Sequence, residues 1–143
     1  SEPAPVAQAV IAQYPDLECL DPTHVDLVGA LGRGTCGAVF DTVGTPETLT
    51  QGLALLAPAG TLVNLAVHDT SLSMNAMALG SERRMTTSSN ALYRDEREAH
   101  VLIESGAVMM APMITHRFPL EAFADAYALL LAEPKQAYKV VFE

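Results

Sequence analysis

Charge is scarce in this chain, and positive charge scarcer still. Of 143 residues only 17% are charged, with 8 Lys and Arg against 17 Asp and Glu, for a formal net charge of -9. No Lys/Arg cluster offsets that balance, which argues against nucleic acid as the main partner and against anionic membrane surfaces. Cysteine is nearly absent too. Cys19 and Cys36, without a C-x-x-C pair, make neither a disulfide framework nor a structural zinc site, so a reducing cytoplasm is the expected compartment. Long apolar runs are missing: the stretch 52–67 is interrupted by Pro58, Gly60 and Asn64 and falls short of the ~20 residues a spanning helix needs. No basic n-region with an apolar core opens the sequence. The chain starts at Ser1 rather than Met and is expected to derive from something longer.

What remains is apolar. Half of the residues are hydrophobic and the mean hydropathy is +0.22, whereas soluble domains average about 25% charged residues. That composition argues against disorder. Either the surface is unusually apolar or part of it normally faces more protein. The length suits a domain with a real core.

Short runs rich in Val and Leu alternate with stretches of helical period, the pattern of an α/β protein. Residues 4–13 read as a helix stopped before Pro15, residues 17–20 as a short strand. Thr23 is expected to cap a helix carrying Val25, Val28 and Leu31, ended by Gly32 and Gly34. Residues 38–43 read as a buried strand. Thr45-Pro46-Glu47 is a strong helix start: a capping hydroxyl, a proline in the first turn and an acid near the positive helix end. Leu49, Leu53 and Leu56 supply its buried stripe and Gly60 its end. Residues 61–67 then form a nearly continuous apolar strand, as expected for a parallel sheet covered on both faces. Periodicity leaves residues 72–79 open between an edge strand and a helical turn. Residues 84–89 read as a strand, Asp95 with Glu98 as a capping box for a helix ending at Gly106, and 113–115 as extended. Pro119 starts a helix in which Leu120, Phe123, Tyr127, Leu130 and Leu131 share a face, and 138–142 is a closing strand.

Chemistry-bearing motifs are absent: no G-x-G-x-x-G, P-loop, H-E-x-x-H or G-x-S-x-G occurs. His24, His68, His100 and His116 are scattered without ligand spacing and read as surface or hydrogen-bonded residues. Cys19 reads as a small core residue and Cys36 as a loop thiol. Asp41, amid apolar neighbours, needs satisfied bonds if buried; it either marks a site near a strand's carboxyl end or holds a neighbouring loop.

The wording of several segments is more specific. In order come Phe40-Asp41-Thr42-Val43-Gly44, the capped helix, Ala57-Pro58-Ala59-Gly60-Thr61-Leu62-Val63 and Leu72-Ser73-Met74-Asn75. They are followed by Ser88-Ser89-Asn90, Met113-Ile114-Thr115-His116-Arg117-Phe118-Pro119-Leu120 and Tyr138-Lys139-Val140-Val141. This set resembles the C-terminal part of zinc-type medium-chain alcohol dehydrogenases, closest to the polyol branch of butanediol, threonine and sorbitol dehydrogenases.

The resemblance implies a partial Rossmann fold, a doubly wound parallel sheet lacking its first two strands. Residues 1–90 would be the partial NAD-binding domain, and 91–143 a C-terminal segment packing on a catalytic domain that lies upstream with all the zinc ligands. It further implies NAD as cofactor, held by Glu2 at the adenosine ribose and by Thr42, Val43 and Gly44 at the nicotinamide ribose. Leu65, Ala66, Val67, Ser88, Ser89 and Asn90 would hold the carboxamide, and Lys139 the pyrophosphate. Backbone groups carry most of these roles. The reaction implied is hydride transfer between a secondary alcohol and nicotinamide, with zinc polarising the substrate oxygen. No catalytic residue and no metal ligand falls on this chain. Segment 72–80, from Leu72 through Gly80, matches the edge through which family members form homodimers.

In the order 3-2-1-4-5-6 the absent strands would lie between 17–20 and 38–43, leaving a gap of about 14 Å at the usual strand spacing. Either the strand at 17–20 moves over or a partner fills the space. The isolated chain is expected to be inactive and to bind cofactor weakly. The alternatives are a noncatalytic dimerisation or nucleotide-binding remnant and, weakened by the lack of an acidic cluster at the early strand ends, a receiver-like signalling domain.

Overall fold

The computed structural model describes residues 8–9, 11–67, 69–133 and 137–143. The chain divides into two compact units, Pro22–Ala91 and Ser1–Asp21 together with Leu92–Glu143. The first unit is α/β. Helix α1 (Leu27–Leu31) leads to strand β1 (Cys36–Asp41), helix α2 (Pro46–Leu55), strand β2 (Leu56–Asn64), a 3-10 turn at Ala76–Leu79 and strand β3 (Arg84–Thr87). The strands form one parallel sheet in the order β1-β2-β3.

Local chemistry explains where the helices begin. Helix α1 is capped by Asp26, whose carboxylate accepts from Val28 N–H at 3.1 Å. Thr23 is not the cap. Its hydroxyl lies 2.8 Å from His24 Nδ1, and an aspartate one residue before the helix is the better placed acceptor. The expected end holds: Gly32 is the C-cap, at φ 86. Helix α2 starts as Thr45-Pro46 predicts. Thr45 Oγ1 accepts from Thr48 N–H at 3.2 Å while Thr48 Oγ1 accepts from Thr45 N–H at 3.0 Å, with Pro46 in the first turn.

Helix α2 does not run on to Gly60. It ends at Leu55, and Leu56 already opens β2. Between Cys36 and Ala38 on β1 the pairing on β2 advances from Leu56 to Thr61, so the extra β2 residues are absorbed in a bulge. Gly60 sits in that bulge. A Cβ there would meet the carbonyl oxygens of Ala57, Cys36 and Gly37 at 2.9, 3.1 and 3.2 Å. Its glycine serves close backbone approach rather than a helix end.

The core lies on one face of this sheet. Val39, Leu62 and Met85 share a register row and pack with Leu49, Leu53 and Leu56, joined by Leu72, Ala78 and Leu79. On the other face Phe40 is 67% exposed, Ala38 and Thr86 are exposed and Val63 is half-buried. Within this unit α2 packs on β1 and β2 from the core side. An apolar run shows that a strand avoids water without showing which faces are covered. Of the two readings open for residues 72–79 the helical turn holds: the segment carries the 3-10 turn, with Asn75 Oδ1 accepting from Met77 N–H at 2.9 Å.

The second unit carries helix α3 (Tyr93–Glu104), a 3-10 turn at Ala111–Met113, strand β4 (His116–Phe118), a 3-10 turn at Leu120–Ala122, helix α4 (Phe123–Ala132) and strand β5 (Val140–Phe142). Strands β4 and β5 pair in parallel, His116 opposite Val140 and Phe118 opposite Phe142. Thr115 ties their entrance: its hydroxyl accepts from Tyr138 N–H at 3.0 Å and lies 3.2 Å from Lys139 O.

Asp95 does not cap α3. It is the third helical residue, and its carboxylate reaches back to Leu92 N–H at 2.9 Å. The expected strand at 17–20 does not form; Leu17 to Cys19 are exposed and irregular. Leu120 in the 3-10 turn and Phe123, Tyr127 and Leu131 on α4 are exposed, while Leu130 is half-buried and Ala126 buried. Leu62 has no exposed surface, so Leu62→Ala is expected to cost about 2–5 kcal/mol. Phe40→Ala on the bare face should change stability by no more than about 0.5 kcal/mol, both measured by urea unfolding.

Candidate functional site

Because β1, β2 and β3 run parallel, their carboxyl ends meet at one edge. Asp41 pairs with Asn64, and Asn64 with Thr87. The segments 42–44, 65–67 and 88–90 therefore leave the sheet side by side. In open α/β sheets the crevice outside the strand carboxyl ends is where ligands bind.

Side chains at the strand ends shape these exits. Asp41 is the last residue of β1 and only 7% exposed. Its Oδ1 accepts from the N–H groups of Val43 at 2.8 Å and Gly44 at 2.9 Å, and its Oδ2 accepts from the Thr48 hydroxyl at 2.7 Å. Of the two readings open for Asp41, the carboxylate holds the neighbouring loop. It also sits at the strand's carboxyl end, where that loop begins. Gly44 completes the turn at φ 68, a region glycine enters without steric cost. Asn64 repeats the device on β2, its side-chain oxygen accepting from Ala66 N–H at 2.9 Å. Such side-chain-to-backbone turns fix a loop without using its own side chains.

The sheet ladder continues past the strand ends. Leu65 N–H donates to Asp41 O at 2.8 Å, and Ser88 N–H donates to Asn64 O at 3.1 Å. The exits are thus pinned to one another. Val43 and Val67 are 52% and 80% exposed at this edge, Thr42 and Ser88 to Asn90 are exposed, and Asn90 turns the chain at φ 61. The result is a preset ledge of backbone and apolar side chains with its nearby carboxylate already occupied.

Of the residues singled out by sequence, Thr42, Val43, Gly44, Leu65, Ala66, Val67, Ser88, Ser89 and Asn90 come together here. Lys139 belongs to the other unit, where its backbone is held by Thr115. Glu2 and His68 lie outside the described residues. Thr48 was not singled out, although a second threonine three residues after a capping Thr is a legible sign of a polar link. Among the described residues no three of His, Cys, Asp or Glu gather so as to hold a metal. His24, His100 and His116 instead lie against Thr23, Glu104 and Thr115.

The model of the family described as zinc-binding dehydrogenase matches residues 17–141. This chain belongs to that family, the zinc-type medium-chain alcohol dehydrogenases. An alcohol dehydrogenase of Cupriavidus necator is 29% identical over 116 residues, covering 78% of this chain and 31% of that protein. The L-threonine 3-dehydrogenase of Bacillus subtilis is 29% identical over 117 residues, covering 80% and 33%. The chain thus spans about a third of the length of these relatives.

Two solved structures share the fold. A zinc-binding dehydrogenase from Sinorhizobium meliloti, bound to NADP, superposes with a TM-score of 0.67 at 26% identity, covering 85% of this chain and 36% of that one. A protein from Escherichia coli CFT073 described as a short chain alcohol dehydrogenase, complexed with NADH, gives 0.65 at 20% identity, covering 74% and 32%.

The Asp41 bonds make a direct prediction. Asp41→Ala leaves two amides and a hydroxyl without their acceptor and is expected to cost about 2–4 kcal/mol. Amide exchange of Val43 and Gly44 should quicken. Thermal melting and hydrogen exchange read the two effects, and wild-type exchange rates in the variant would contradict the assignment.

Proposed function

We propose that this chain is the cofactor-side part of a nicotinamide-dependent, zinc-type alcohol dehydrogenase that transfers hydride between a secondary alcohol and the cofactor. The observation that carries this reading is the in-register alignment of three parallel strand ends, with exits 42–44, 65–67 and 88–90 pinned by Asp41, Asn64 and the continued ladder. Two relatives of the same fold were solved with NADH and NADP.

The residues at this edge suit such a group. Because the Asp41 carboxylate is taken up by Val43, Gly44 and Thr48, it does not compete for ligand donors. Thr42, Val43 and Gly44 are assigned to the nicotinamide ribose. Leu65, Ala66, Val67 and Ser88 to Asn90 are assigned to the ring and its carboxamide, which they orient chiefly through backbone groups. Lys139 is assigned to the pyrophosphate and Glu2 to the adenosine ribose, where an acid favours NAD over NADP. When bound, the nicotinamide supplies the hydride acceptor.

The described residues do not fit zinc, since no ligand set gathers among them. Residues 91–143 would pack on a catalytic domain, leaving the chain on its own inactive. No described helix is long and apolar enough to cross a membrane; a cytoplasmic site of action is part of the same proposal.

Pairing between copies through segment 72–80 belongs to the same proposal. Met77 is 76% exposed in the 3-10 turn, and an apolar side chain so exposed gains most from cover. Met77→Asp is expected to shift the chain towards monomer in sedimentation velocity. An unchanged distribution removes the turn from the contact.

The cofactor assignment is tested by adding NADH to the labelled chain and following amide resonances. Shifts are expected at 42–44, 65–67 and 88–90, and binding should be weak, since the sequence has no G-x-G-x-x-G turn to cradle the phosphates. Shifts confined to other segments, or none, would overturn the assignment.

A further inference from the structure

At the opposite end of the same sheet lies a cavity of about 520 Å³. Two arginines line it, Arg33 and Arg83, in a chain holding 8 basic residues against 17 acidic. Arg33 is on the turn before β1 and Arg83 immediately precedes β3, so the cavity faces the amino ends of the strands. The segments 42–44, 65–67 and 88–90 lie beyond their carboxyl ends.

Arg83 is held in place: its Nε donates to Leu56 O at 2.8 Å and its Nη1 to Gly80 O at 3.0 Å. A guanidinium carries five N–H donors in a rigid fork, so two bonds anchor it and the rest stay available with no further ordering cost. Gly34 donates its N–H to Ala54 O at 3.1 Å and lies beside Arg83, with room for ordinary contact between them. Arg33 itself is exposed, on a turn with Gly32 and Gly34 at φ 86 and 71. Of the remaining polar groups of the wall, the Thr50 hydroxyl spends its hydrogen on Pro46 O at 2.6 Å, while Ser73 and Asn75 can donate. Asn75 spends its side-chain oxygen on Met77 N–H and keeps its amide hydrogens, and the Ser73 hydroxyl lines the cavity too. No carboxylate is among the lining residues. Leu53 and Ala54 supply an apolar floor.

We propose that this cavity binds a small phosphate monoester, with Arg33 and Arg83 on the phosphate and the organic part against Leu53 and Ala54. Two guanidiniums without an opposing carboxylate call for a dianion, and a phosphate monoester carries about -1.5 to -2 at neutral pH. The planar fork matches the oxygen geometry of phosphate. The volume falls in the range of small-molecule sites and exceeds what inorganic phosphate alone would fill. The inference is independent of the cofactor reading; the cavity shares Ser73, Met74, Asn75 and Ala78 with the segment proposed for pairing, although Met77 does not line it.

The test is a titration of the labelled 143-residue chain with phenyl phosphate, inorganic phosphate and benzoate at constant ionic strength, read by amide and arginine Nε resonances. Saturable shifts are expected at Gly34, Ser73, Asn75 and Arg83, with 42–44 undisturbed. Phenyl phosphate should bind about tenfold or more tighter than benzoate, and Arg33→Gln should weaken it by a similar factor. Arg33→Lys, which keeps the charge and loses the fork, should fall between. Benzoate binding as tightly as phenyl phosphate would overturn the phosphate assignment, and equal affinity for inorganic phosphate would remove the organic part. Shifts that never saturate, or that persist unchanged in Arg33→Gln, would overturn the site.

Discussion

A buried carboxylate at the end of one strand organises the α/β unit. Asp41 accepts from two amides of the exit loop and from the Thr48 hydroxyl of helix α2. Thr48 in turn shares the capping exchange with Thr45 that begins the helix. Strand end, loop and helix start are thereby one hydrogen-bonded assembly. Burying a charge is unfavourable unless it is bonded on all sides, so the loop conformation and the burial of Asp41 require each other. The Asp41 carbonyl extends the same order to β2 by accepting from Leu65. A rigid edge at the strand carboxyl ends is the consequence, and a site built on it needs few distinctive side chains.

That economy explains why the edge resists recognition from motifs. Its groups are mostly backbone, and Val43, Leu65 and Ala66 have no chemistry of their own to notice. Only an ordered resemblance across the chain singles them out. Their adjacency depends on register, Asp41 to Asn64 to Thr87, a long-range property that no local window contains. The Arg33 and Arg83 cavity is hidden for the same reason. The two arginines are far apart in sequence, and only the parallel order of β1, β2 and β3 brings the turns before β1 and β3 to one end of the sheet.

The low charge content has a visible location. Phe40, Val67, Met77 and Leu131 are each more than half exposed, and Phe123 and Tyr127 of α4 are exposed while Ala126 is buried. An exposed stripe at helical spacing shows why periodicity, which reads amphipathicity correctly, cannot name the occupant of the apolar side.

Local chemistry determined a good deal by itself. The start of α2 at Thr45-Pro46, the end of α1 at Gly32 and the α/β alternation all follow from capping, backbone freedom and hydrophobic spacing, which act over a few residues. The ordered segments likewise suffice to place the chain in its family. Tertiary structure decided the rest. It set Gly60 inside a bulge instead of at a helix end, because three carbonyls approach where a Cβ would stand. It left 17–20 irregular and one sheet face bare, because a strand needs a partner and a face needs cover, and neither is encoded within the segment. It gave Asp41 its role, because a carboxylate becomes a loop anchor only where distant donors converge on it.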